Sequence, residues 1–245
     1  MILFLLPAAA LAADAGSSRT VSIGAGISSP SRTSALLENP AGLTLNEATR
    51  VQGALFSGND SFDPLGFSGG IYFGNGSAGG AAEIARTGTD QTRLDLGLAA
   101  QISSLALGAH VRTDLGDGGG WGADIGAIFN PKNKLRFGAL LYGVTGGIDG
   151  FGAGIASSVS SEATFALDAA TDGDGNGLTL KPTLGVDLNT VQLVFGYGLE
   201  LEESGGSPIP EGVALGLGLR LSQSAHLVGY YNQLDRYYFG VIFKL

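Results

Sequence analysis

The chain has 245 residues, 42 of them glycine and none cysteine, with 14% charged residues and a formal net charge of −9. An acidic chain without basic clusters is a poor match for nucleic acid, whose phosphates require them. Apolar residues reach 44%, yet no internal stretch is long and unbroken enough for a spanning helix.

At the N-terminus, Ile2 to Leu6 forms a short apolar run, and Ala10-Leu11-Ala12 follows as an A-x-A-type cleavage pattern. This predicts an export signal over residues 1–13, although the usual basic residues before the apolar run are missing. Residues 14–48 break the pattern of the rest. Arg19 to Ile27 suits one strand, and Ser31 to Glu38 suits a short capped helix stopped by Asn39-Pro40-Ala41-Gly42. A helical insert at this place predicts a plug-like segment carried by Leu36, Leu37, Asn39, Pro40 and Gly42.

From Arg50 onward apolar and small or polar residues alternate, with breaks at Gly, Asn and Asp. Leu94, Leu96 and Leu98 alternate with Arg93, Asp95 and Gly97. Leu105, Leu107 and Val111 alternate with Gly108, His110 and Arg112. Trp121, Ile125 and Phe129 lead into the Asn130-Pro131-Lys132-Asn133 turn. Leu135, Phe137 and Leu141 return from it. The same pattern runs through Leu184–Leu188, Val191–Leu201 and Val213–Leu221. It ends in Tyr237, Phe239, Val241, Phe243 and Leu245. Segments of roughly 9 to 11 residues are long enough to cross a bilayer at a tilt. The predicted fold is all-β: a transmembrane antiparallel β-barrel of about 12–14 strands over residues 49–245, with the plug-like segment before it.

The two faces differ as a barrel requires. One is Leu, Val, Ile and Phe. The other is Gly, Ala and Ser with scattered charges, which would cost about 2–4 kcal/mol each at the centre of a bilayer and must therefore face a lumen. The lumen-lining candidates are Arg93, Asp95, His110, Arg112, Asp124, Arg136, Asp187, Glu200 and Arg220. Arg93/Asp95 and Arg112/Asp114 are i,i+2 pairs on one strand face. They suit salt bridges in a narrow interior or a charge filter in a pore. The inward glycines either admit a close-packed segment or ease the bends that close a small barrel.

No catalytic constellation is complete. His110 and His226 are the only histidines, and neither has a partner at ligand spacing. Asp172, Asp174 and Asn176 match the first half of a calcium loop. Thr183 stands where the bidentate Glu should be, so a polar turn is the plainer reading. No cofactor and no enzymatic activity are expected. Tyr142, Tyr197, Tyr230, Tyr231, Tyr237 and Tyr238 are candidates for interfacial girdles.

Two stretches carry a resemblance. Ser34-Ala35-Leu36-Leu37-Glu38-Asn39-Pro40-Ala41-Gly42-Leu43 resembles the NPAGL segment near the N-terminus of FadL-type fatty-acid transport barrels. Asp124 to Gly138 is similar to a hairpin of that family. Together they cover about a tenth of the chain. Size, glycine content and acidity also resemble small porin-like major outer-membrane proteins of predatory bacteria. The closing strand resembles the C-terminal signal read by barrel-assembly machinery, with Leu245 in place of the usual Phe. These likenesses imply a Gram-negative outer-membrane location and a passive, porin-like or lipid-interacting barrel. The partners implied are membrane lipid, the assembly machinery and further copies of the chain. FadL-like transport of hydrophobic molecules is one alternative, and a sealed structural or adhesive barrel is another.

Overall fold

The computed structural model describes residues 26–31, 34–45, 47–57, 66–86, 92–116, 120–131, 134–144, 147–160, 163–175, 177–188, 190–202, 212–232 and 236–245. The residues that suggest an export signal, and most of the Arg19–Ile27 segment, lie outside them. Gly26 and Ile27 are described and belong to a turn, not a strand.

The strands are β1 (Arg50–Ser57), β2 (Gly66–Gly74), β3 (Ala78–Arg86), β4 (Thr92–Ile102), β5 (Leu105–Asp114), β6 (Trp121–Phe129) and β7 (Leu135–Tyr142). The second half continues with β8 (Gly150–Ser158), β9 (Ala163–Asp172), β10 (Leu178–Asp187), β11 (Val191–Glu202), β12 (Gly212–Arg220), β13 (Ala225–Asn232) and β14 (Arg236–Lys244). Each pairs antiparallel with its neighbours in sequence. β14 pairs with β1 from Arg50↔Lys244 to Ser57↔Tyr237, which closes a barrel of 14 strands.

Closure follows from the alternation. In β4, Leu96 and Leu98 are exposed while Arg93, Asp95 and Gly97 are buried. In β12, Leu215 and Leu217 are exposed while Ala214, Gly216 and Gly218 are buried. A sheet with its large apolar groups outside and its polar groups inside reverses the usual order of a soluble protein. It is stable where hydrocarbon is the outer solvent.

An even number of strands puts the start of β1 and the end of β14 at one end of the barrel. At that end the connections are short: 75–77, 103–104, 130–134, 159–162, 188–190 and 221–224. This is called the turn end below. The other, or loop end, has longer connections such as 58–65 and 203–211. Ser103 and Asn130, two of the residues that turn the chain at the short end, adopt φ of 55°. Such a conformation is costly for most L residues, and Asn tolerates it best.

Before β1, the chain forms a four-residue α-helix, α1 (Ala35–Glu38), and a 3-10 helix over Pro40–Leu45. The sequence suggested a helix over Ser31–Glu38. Among the described residues of that stretch Ala35–Glu38 are helical, and ahead of them Ser31 and Ser34 bind each other's backbone N–H groups through their hydroxyls. The 3-10 helix packs against β2 to β6, and α1 packs against β4.

Placing an arginine at Leu96, which faces outward near the middle of β4, should destabilise the barrel by about 2–4 kcal/mol. Urea titration of the folded fraction in lipid vesicles, followed by heat-modifiable migration on gels, measures this. An undiminished midpoint would contradict a lipid-facing wall.

Candidate functional site

The site is the interior of the barrel. It begins with what the inner wall lacks. Gly97, Gly108, Gly126 and Gly138 lie on the inner faces of β4, β5, β6 and β7. A Cβ at Gly108 would overlap the Pro40 carbonyl carbon and the Ala41 nitrogen. At Gly126 it would overlap the Asn39 side chain, at Gly138 the Ile27 backbone, and at Gly97 the Leu36 and Leu43 side chains. The glycines therefore form a track on which residues 27–31 and 34–43 lie against the wall. Of the two uses predicted for inward glycine, close approach is the one these positions serve.

Polar contacts fix the segment on that track. The Asn39 amide Nδ2 donates to the carbonyls of Ile27 at 2.9 Å, Ala127 at 3.1 Å and Ala139 at 3.2 Å. Its Oδ1 accepts from the Ala41 N–H at 3.1 Å. Asp168 on β9 accepts from the backbone N–H groups of Ile27 and Ser28 and from the Ser28 hydroxyl, at 3.0 to 3.3 Å. Ser34 donates through its hydroxyl to Glu38. The charges of Glu38 and Asp168 both act on Lys181, which is fully buried on β10. A buried charge is costly unless opposite charges and hydrogen bonds surround it. Here the inserted segment supplies one of the two carboxylates and the wall supplies the other.

Towards the loop end a second network spans β4, β5 and β6. Arg93 Nε contacts Asp95 Oδ2 at 2.8 Å. The two ring nitrogens of His110 sit between Asp95 Oδ1 at 2.9 Å and Asp124 Oδ2 at 3.0 Å. Asp124 also accepts from the Gly143 N–H at 3.0 Å. The register explains the meeting: His110 lies opposite Gly97 on one side and Asp124 on the other, so the imidazole has room to reach both carboxylates. Arg112 pairs with Asp124 at 3.6 Å, not with Asp114. Asp114 is exposed at the end of β5, opposite Arg93 in register. Beside this network the Tyr72 hydroxyl donates to Glu83 at 2.5 Å.

The rest of the interior mixes an apolar cluster with buried polar side chains, among them Gln52, Ser68, Thr179, Thr183 and Gln192. Ala54, Phe56, Val194, Ala214, Val228, Tyr230 and Tyr238 form one cluster across β1 and β11 to β14. The Phe56 and Tyr238 rings lie 5.9 Å apart, and Tyr230 and Tyr238 5.7 Å. Tyr142, Tyr230 and Tyr238 are thus buried inside and are not girdle residues. Tyr197 is exposed on the outer face.

The predicted lumen residues therefore divide. Arg93, Asp95, His110 and Asp124 come together in the interior, and Arg112 joins them half-buried. Asp187 and Arg220 meet at the turn end, 3.8 Å apart. Arg136 lies on the inner face of β7 near the same end. Glu200 is exposed at the loop end of β11, beyond the packed interior. Leu36, Asn39, Pro40 and Gly42 are buried against the wall, and Leu37 is within α1. The half-motif at Asp172 to Gly177 is a tight turn closed by a Gly175 N–H to Asp172 carbonyl bond, with Gly175 and Gly177 at positive φ. Asp174 in it is exposed, and Asn176 lies outside the described residues. No group of ligating side chains suited to a metal occurs among the described residues.

Sequence reasoning missed Ser28, Asp168 and Glu38. Asp168 had a signal, because Thr164, Ala166, Asp168 and Ala170 alternate with Phe165 and Leu167. That parity alone places it inside.

No protein-family model matches the chain, and no curated protein sequence matches it. Solved structures do resemble it. The Pseudomonas putida toluene transporter TodX is similar over 100% of this chain and 99% of its own, with a TM-score of 0.64 and 11% identity. Mutants of Rh. blastica porin are similar over 81% of this chain and 99% of theirs, with a TM-score of 0.51 and 8% identity. At such identities the likeness is one of fold: a closed transmembrane barrel.

Changing Gly108 to Val should unseat the segment without opening the wall, since the added side chain occupies the space of Pro40 and Ala41. Limited proteolysis should then cut within residues 26–45 while the barrel still migrates as folded. Asn39→Ala removes the three amide bonds and should cost about 1–3 kcal/mol of stability, at about 1 kcal/mol per bond.

Proposed function

We propose that the protein is a passive, non-catalytic transport barrel of the Gram-negative outer membrane, closed at rest by residues 26–45 as a plug. The observation that carries this reading is the glycine track. The wall gives up side chains at Gly97, Gly108, Gly126 and Gly138, where the segment lies. The segment is held both by hydrogen bonds and by small apolar clusters through Ile27, Leu36, Ala41 and Leu43, and a wall shaped to such a discrete segment suits an element that seats and leaves. The apolar outer face supports the membrane setting. Short turns at one end and longer loops at the other support an orientation with the turn end facing the periplasm, the usual arrangement of such barrels.

Among transport readings, passage of hydrophobic molecules fits better than an open water-filled porin. The interior opposite the plug carries Phe56, Val194, Val228, Tyr230 and Tyr238, which outnumber the buried Gln52 and Gln192 of the same strands, and an aqueous pore is normally lined by polar groups. Toluene transport is what TodX is named for. That cargo comes to this chain only as a class, small apolar molecules. A porin-like assembly of several copies, with lipid between them, is the wider version of the same proposal.

A sealed structural barrel is the second reading, favoured by the dense packing on both sides of the interior. Planar-bilayer recording separates the two. The wild-type protein should be nearly silent, while Gly108→Val and Asn39→Ala should show discrete conductance steps. Variants that stay silent although their plug has become protease-sensitive would support the sealed barrel and reject the transport reading.

A further inference from the structure

The turn-end mouth has a charge pattern that neither the plug nor the apolar cluster uses. Arg50 begins β1, Lys244 ends β14, His226 lies near the start of β13 and Arg220 ends β12. These four strands are consecutive around the wall. All four residues stand at even positions, as do the buried Gln52, Tyr238, Val228 and Ala214 of the same strands, so they share the inward face. The register brings them together: Arg50 is opposite Lys244, and Arg220 is opposite His226. His226 is opposite Ile242, which places it diagonally next to Lys244. His226 on β13 thus stands between Arg220 on one side and the Arg50–Lys244 pair on the other.

Among the described strand residues at this mouth, Asp187 is the one carboxylate. It is already engaged by the Gln192 amide at 3.0 Å and by Arg220 at 3.8 Å. By count, the described residues here are three full cations, Arg50, Arg220 and Lys244, against Asp187 and the exposed Glu47 just before β1, within a protein of net charge −9. The loop end is mixed in sign, with Asp114, Asp149, Asp172, Asp174 and Glu200 there alongside Arg86, Arg93 and Arg112. Cations on the outer face near the membrane surface would be explained by lipid headgroups alone. These face the lumen, so the lipid interface does not account for them. Two guanidinium groups and an ammonium on one concave wall match the oxygens of a carboxylate or phosphate.

We propose that the turn-end mouth is an anion-binding vestibule in which Arg50, Lys244, His226 and Arg220 hold a carboxylate or phosphate group. The group comes either from a free solute or from the headgroup of an anionic lipid reaching over the rim. Arg220 is held by Asp187 from one side and presents its remaining N–H groups to the ligand. Binding here is independent of whether the barrel conducts, so its failure and the failure of the transport reading are separate results.

The test uses the full-length folded protein in nanodiscs of neutral phosphatidylcholine, titrated with inorganic phosphate and followed by phosphorus NMR line broadening. In parallel, native mass spectrometry reads phosphatidylglycerol retained from mixed lipid. The double variant Arg220→Gln/Lys244→Gln is compared with wild type. Phosphate binding weakened about tenfold or more in the variant supports the vestibule with a free-solute source. Absence of phosphate binding, with phosphatidylglycerol retained by the wild type and lost by the variant, supports the lipid source. If neither probe distinguishes the two proteins, the proposal is wrong. Should the variant fail to fold, the wild type alone decides. Binding must fall steeply between about 0.05 and 0.5 M NaCl, and binding indifferent to salt overturns the proposal.

Discussion

The pairing of β14 with β1 is the interaction on which the rest of the molecule depends. In hydrocarbon an unpaired backbone N–H or carbonyl costs several kcal/mol, so an unclosed edge along these strands would not survive there. Eight residue pairs, Arg50↔Lys244 through Ser57↔Tyr237, remove that edge. Once the ring is closed, every outward position meets lipid and every inward position meets an enclosed space. The alternation of each strand then has one permitted direction, because a slip of one residue would exchange the faces.

Closure also creates a volume that must be filled. Many inner-wall residues are Gly, Ala or Ser, too small to meet at the centre. The structure fills the two sides of the interior differently. Next to β3–β7 it uses the chain's own residues 27–31 and 34–43, admitted by missing Cβ atoms and fixed by Asn39 and Asp168. Next to β11–β14 and β1 it uses aromatic and branched side chains of the wall itself. The first filling is a separate stretch of chain, held by hydrogen bonds and small apolar contacts, and the second is part of the wall itself.

Buried charge follows the same division. Arg93, Asp95, His110 and Asp124 pair with one another across β4, β5 and β6 of the wall. Lys181 is different, since one of the carboxylates acting on it, Glu38, belongs to the segment. Withdrawing the segment would take that carboxylate away from a cation buried in low dielectric. The ionic term therefore favours the seated state along with the amide bonds of Asn39.

Much of this was legible before any coordinates. Period-2 alternation marks each strand because it reports which side of the sheet a residue faces. It marks Asp95, His110 and Asp124 as interior for the same reason. The Asn39-Pro40-Ala41-Gly42 stop likewise marks a non-strand segment ahead of β1. Legibility ended at pairing. That Arg112 meets Asp124 in place of Asp114, that Tyr142, Tyr230 and Tyr238 turn inward, and that Asp168 holds Ser28 across 140 positions of chain are matters of register and closure. Alternation by itself determined the two faces and the class of fold, because facing is a local property of an extended chain. Only the tertiary structure decided what the inner face touches, because contacts across a lumen depend on how the closed wall aligns residues that are distant in sequence.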